Sequence, residues 1–146
     1  MRKPLLIALL AALLILPAAP ASAASSGKIE SGVVKKTNAE RSKRDMKKLK
    51  ASACVDRYAE SHARRQAKAQ RMFHQDIGVV LKKCHLSRVG ENVAYGYSSG
   101  KSVTKAWMKS PGHRRNILTK SYRYVGVGAA KDSSGRWYHA QVFGAR

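Results

Sequence analysis

The spacing of the apolar residues changes at Leu118, and that change restricts the fold more than any other feature of the chain. Before it, Val55, Tyr58, Ala59, His62, Gln66 and Ala69 recur at three- and four-residue steps, which builds one buried helix face between Ala51 and Met72. A shorter helix over 102–109 turns Val103, Ala106 and Trp107 to one side. Beyond Leu118 the period is two. Tyr124 to Ala130 and Arg136 to Phe143 alternate on either side of the turn residues Asp132-Ser133-Ser134-Gly135, the pattern of a β-hairpin. In its second strand Trp137, His139, Gln141 and Phe143 share one face, with Tyr138, Ala140 and Val142 on the other. Gly126 and Gly128 clear space on the first strand, best used by a closely packed helix; His62 reads as a core or half-buried histidine and His139 as a strand-surface or packing residue.

The beginning of the chain has a different character. Arg2 and Lys3 precede an apolar run from Leu5 to Leu16, and Ala21-Ser22-Ala23 offers small residues for cleavage, so residues 1–23 read as a secretory signal peptide. A polar stretch without periodicity follows, expected as a flexible leader over 24–32, and residues 33–146 have the length of one domain. No other segment approaches the length of a transmembrane helix, which points to a secreted, extracellular protein.

The formal charge is +21, and loss of Arg2 and Lys3 with the signal would leave +19. Lysine and arginine crowd the weakly amphipathic segment from Lys35 to Lys50 and form a stripe of Arg57, Arg64, Lys68 and Arg71 on the next helix. Such an excess attracts polyanions: teichoic-type envelope polymers, anionic lipid headgroups or nucleic acid. The chain carries no recognised nucleic-acid docking motif, so contact with nucleic acid is expected to be non-specific.

Candidate chemistry lies between Gly90 and Leu118, where Glu91 and His113 each sit beside glycine. Ser110-Pro111 is a helix opening, with Ser110 as N-cap and His113 in the first turn. Cys54 and Cys84, the only cysteines, are read in an exported chain as a disulfide, with two separate thiols as the alternative.

The segments GENVAYG, AWMKSPGHRRNIL and YVGVGAAKDSSGRWYHAQVFG, in that order, resemble the bacterial secreted branch of the CAP superfamily. Cysteine-rich secretory proteins, venom allergens and plant pathogenesis-related proteins belong to the same superfamily. The likeness covers residues 33 to 144. It implies an α+β fold, an α-β-α sandwich with a small antiparallel sheet between helical layers and Val89 to Tyr95 as a third strand. It places Asn38 and Arg41 on the first helix and gathers His74, Glu91 and His113 around one cavity. Two imidazoles and a carboxylate suit a divalent metal such as zinc, with His74 and His113 as ligands. Many relatives carry a second glutamate three residues after the helix tryptophan, where this chain has Ser110, so the set is incomplete and no cofactor is certain.

Two functions follow from these residues. One is a non-enzymatic extracellular binding module for an anionic cell-envelope or lipid ligand. The other is a metal-dependent, protease-like hydrolase with Glu91 as general base and His74 and His113 on the metal. Ser87 and Ser110 lie in no G-x-S-x-G elbow and have no evident base beside them.

Overall fold

The computed structural model describes residues 21–146, with side chains from Ser26 onward. The expected signal peptide therefore lies outside the described residues except for its last three positions. The element order is α1 (Ala21–Ser42), β1 (Lys50–Ala51), α2 (Ala53–Ala69), α3 (Ile77–Lys83), β2 (Arg88–Tyr95), α4 (Gly100–Lys109), α5 (Pro111–Ile117), β3 (Tyr124–Lys131) and β4 (Trp137–Ala145). No helix among the described residues is long and apolar enough to cross a membrane.

The sheet has the order β1-β3-β4-β2. Its three long strands are antiparallel, with Gly90 opposite Phe143 and Val127 opposite Gln141. The two-residue β1 adds a short parallel edge, pairing Lys50 with Tyr124. Helices cover both faces. Val125, Val127 and Phe143 point to one side and pack with Val33, Trp107 and Ile117 of α1, α4 and α5. Val142 points to the other and packs with Val55, Ala59 and Val80 of α2 and α3. This is the α-β-α sandwich, and the alternation expected for β4 holds.

The glycines of β3 explain how α2 comes so near. A Cβ on Gly126 would overlap the backbone of Val55 and Asp56, and one on Gly128 would overlap Ala59. Gly100 does the same on the opposite face, where a side chain would strike Gly32 and Val33, so α1 and α4 touch backbone to backbone.

Side chains close both edges of the sheet. Past the end of β1, the N–H groups of Val127 and Ala129 donate to Asp56 Oδ1 and Glu30 Oε1, each at 3.0 Å. On the β2 edge, Asn116 Nδ2 donates to the Glu91 carbonyl and Trp107 Nε1 to that of Val93. Backbone polar groups that would otherwise lie unpaired under the helices are thereby satisfied.

Residues 24–32 are not a loose leader. They form part of α1, in which Ile29 packs against Ala129 and Trp137. The reason is a stripe at four-residue steps, Ile29, Val33, Thr37 and Arg41, all of it buried. Helix α2 ends at Ala69, earlier than the expected Met72, with Gln70 in the left-handed region at φ 47°.

Cys54 and Cys84 form a disulfide with a Cα–Cα distance of 5.7 Å, joining the first turn of α2 to the end of α3. Replacing both with serine is expected to lower stability by about 3 kcal/mol by freeing the thirty-residue loop in the unfolded chain. Urea unfolding of the double variant beside the wild type checks this, and unchanged midpoints would refute it.

Candidate functional site

Each residue of Gly90-Glu91-Asn92 has a separate task. At Gly90 a side chain would collide with the Tyr122 hydroxyl, so only glycine lets that ring pack under β2. Asn92 is fully buried and links three elements: its Nδ2 donates to the His113 carbonyl at 3.2 Å and to Gln141 Oε1 at 3.1 Å. Its Oδ1 accepts from Asn116 Nδ2 at 2.9 Å. Gln141 Nε2 extends the chain of bonds to Thr37 Oγ1 at 2.8 Å. This polar network, on the α1 and α5 side of the sheet, fixes the start of α5, and with it the position of His113.

Glu91 faces the α2 side. Its carboxylate is 1% exposed, and Oε1 accepts from His74 Nδ1 at 2.8 Å. Oε1 also accepts from the Gln75 backbone N–H at 3.2 Å, and Oε2 from Gln75 Nε2 at 2.6 Å. Three donors from one loop thus converge on one carboxylate. The same loop is held from α2, where His62 Nε2 donates to the Phe73 carbonyl at 2.7 Å and Gln66 Oε1 accepts from the Phe73 N–H. His62 is buried, as its place on the apolar helix face implied, and burial pushes its pKa down. It stands 4.0 Å from Glu91 Oε1.

His74 is largely exposed, so with Nδ1 committed to Glu91 its Nε2 faces outward. His113 lies in the first turn of α5, half-buried, and both burial and the nearby His74 lower its pKa. Ser110 precedes α5 as expected, yet its hydroxyl makes no capping hydrogen bond. Beside His113 a groove of about 250 Å³ runs along the β2 edge, walled by Met72, Tyr95, Tyr97, Ala106 and Trp107. Three large apolar side chains stand exposed among the described residues, and two of them, Met72 and Tyr95, border this groove. The Arg136 guanidinium lies 5.7 Å from the Tyr95 ring centroid, within cation–π range, and puts positive charge at the mouth.

The Cysteine-rich secretory protein family matches residues 34–143 of this sequence. The chain belongs to the CAP family. It is 33% identical to the uncharacterized protein YkwD of Bacillus subtilis (strain 168) over 112 residues, 72% of this chain and 44% of that protein. It thus spans less than half the length of the curated relatives it matches. Its fold is similar to that of an extracellular protein containing an SCP domain from Bacillus anthracis, with a TM-score of 0.72 and 22% identity, covering 83% of this chain and 41% of that one. It is similar also to an outer surface protein of Borrelia burgdorferi, with a TM-score of 0.70 and 18% identity, covering 78% of this chain and 90% of that one.

For this CAP chain the geometry bears on the metal expectation. His74 and Glu91 meet directly, but the carboxylate is buried and its oxygens serve His74 and Gln75. Among the described residues no group of three or more His, Cys, Asp and Glu side chains is placed to hold a metal ion. The position three residues after Trp107 is Ser110. A catalytic zinc needs three protein ligands and one open position, and His74 with His113 supplies two. The residues present do not fit such a centre. Gln75, which holds both the backbone and side-chain bonds to Glu91, left no mark in the sequence pattern. Nothing in its surroundings there distinguishes it from a solvated loop residue.

Proposed function

We propose that this chain is a non-enzymatic binding domain of the extracellular type, in which the groove beside His113 receives the apolar end of an anionic envelope or lipid ligand. The observation that carries the reading is the apolar groove itself, with exposed Met72 and Tyr95 at its rim and Arg136 stacked at its mouth. An exposed apolar lining beside a fixed cation suits an amphiphile with a negative head. The groove is smaller than the roughly 300 Å³ at which small-molecule sites begin, so it accommodates part of a ligand and leaves the rest in solvent. Glu91 takes no part in chemistry in this reading. It ties the loop at 73–75 to β2 and thereby shapes one wall.

The test uses lysophosphatidylglycerol below its micelle concentration as a single-chain anionic probe. Ala106 lies on the groove wall and is half-buried, so Ala106→Trp fills the space without opening the core. Titration calorimetry is expected to find roughly tenfold weaker binding in the variant, a loss of about 1.4 kcal/mol. Wild-type affinity in a folded Ala106→Trp protein would remove the groove from consideration.

A further inference from the structure

A second concave surface lies on the other side of α4, about 370 Å³ in volume, between α1 and α4. Six cations border it: Lys36 on α1, Arg44 just beyond its end, Lys101, Lys105 and Lys109 on α4, and Arg114 on α5. The single acid there, Glu40, is taken up by Lys43 at 3.0 Å and Arg44 at 2.9 Å. Among the described residues, none of the other five cations has a carboxylate within ion-pairing distance. Five like charges around one depression repel one another in the free protein, and a polyanion laid among them relieves that repulsion.

The arrangement is regular as well as basic. Lys101, Lys105 and Lys109 stand at four-residue steps on one face of α4, about 6 Å apart along the helix axis. Helix α1 forms the opposite wall, held against α4 by the contact between Gly32 and Gly100. Lys101 borders a further depression beyond that contact, where Lys28 and Lys131 continue the positive track. We infer that this cleft is a docking track for a linear polymer of phosphodiester-linked polyol, a poly(glycerol phosphate) chain whose successive phosphates meet the α4 lysines. The surface goes beyond the groove at His113, since the two use opposite sides of α4.

Two features select this class of partner. The cleft is recessed between two helices, which admits a thin single chain and keeps a flat bilayer surface away from its floor. No aromatic side chain lines the cleft, and Trp137, which borders the further depression, is buried with Lys131 Nζ over its ring at 4.9 Å, so the track offers no free ring face on which bases could stack, whereas single-stranded nucleic-acid sites depend on such stacking. A chain with charge but no bases loses nothing by this.

The experiment measures binding of fluorescent poly(glycerol phosphate) to the wild type, to Lys101→Glu/Lys105→Glu, and to Lys82→Glu/Lys83→Glu. The last changes the formal charge equally on α3, in the opposite helical layer. All four lysines are exposed, so folding is expected to survive, and Lys101→Gln/Lys105→Gln provides a milder variant should the reversal disturb α4. The cleft reversal is expected to weaken binding by roughly tenfold or more and to flatten its salt dependence, because fewer phosphates are neutralised. The α3 pair should stay within about twofold of the wild type. Equal losses in both pairs would overturn the cleft in favour of the whole-chain field. An oligonucleotide of equal charge, or phosphatidylglycerol vesicles, binding more tightly than the polymer and with the same sensitivity to Lys101 and Lys105 would overturn the partner. Retention of lysophosphatidylglycerol binding by the cleft variant separates this surface from the His113 groove.

Discussion

Replacing Arg41 with methionine is expected to destabilise the protein by about 3–5 kcal/mol, a large part of the 5–15 kcal/mol that holds an ordinary domain together. Arg41 is fully buried and has no carboxylate partner among the described residues. Its charge is solvated by carbonyls instead. Nε donates to Lys47 O at 2.9 Å, Nη1 to Ile117 O at 2.8 Å and Thr119 O at 2.9 Å, and Nη2 to Tyr122 O at 3.3 Å. One planar fork therefore ties the end of α1 to the end of α5 and to the turn that enters β3. Methionine would remove the desolvated charge, a gain, but would take the donor from the carbonyls of Lys47, Ile117 and Thr119, each at a cost of about 1–3 kcal/mol when left dry, while Tyr122 O keeps Arg123 Nη1 at 3.0 Å. The stranded acceptors outweigh the relieved charge. Arg41→Lys should recover little, since an ammonium has three donors on a point and cannot span four separated oxygens. Guanidinium unfolding of both variants measures the difference, and a loss below about 1 kcal/mol would mean that water replaces the guanidinium without penalty.

Arg41 also shows why the first helix was hard to read. Its inner stripe runs Ile29, Val33, Thr37, Arg41, so half of what is buried is polar and the apolar period fades where the packing is most specific. Thr37 is buried because Gln141 bonds to it, and Arg41 because four carbonyls surround it; neither partner is visible from the helix itself. The same stripe extends into 24–32, which composition alone marks as a leader. The hairpin was readable because alternation survives in β3 and β4. In β2, Gly90 to Ala94 are all buried, and α3 and β1 are too short to establish a period. At the site, the meeting of His74 with Glu91 follows from the family resemblance, and the structure places the pair at 2.8 Å. What the carboxylate does there depends on which donors the loop at 73–75 brings, and loop geometry leaves no period to detect.

Acid is expected to weaken this protein as the pH falls from about 6.5 toward 4. His139 is fully buried on β4, its Nε2 donating to the Tyr97 carbonyl at 2.8 Å, while Nδ1 lies buried with no hydrogen-bond partner among the described residues. Burial pushes its pKa down to about 4, against a partial counter-effect from the Tyr97 bond. A second proton would have to enter on Nδ1, where no acceptor waits. In the unfolded chain the same imidazole takes its proton near pH 6.5. The unfolded state therefore binds more protons between those values, so stability is full above about pH 6.5 and falls as the pH drops toward 4. The difference amounts to about 3 kcal/mol from His139 alone. His62 and His113, both lowered chiefly by burial, act in the same direction, while Glu30, whose carboxyl burial raises, opposes them at the acid end. Urea midpoints taken between pH 7 and pH 4 should decline steadily in the wild type. In His139→Gln, which keeps a donor for the Tyr97 carbonyl and cannot titrate, the decline should be much shallower. Parallel curves for the two proteins would assign the acid sensitivity to other groups and leave His139 a packing residue without a role in the response to pH.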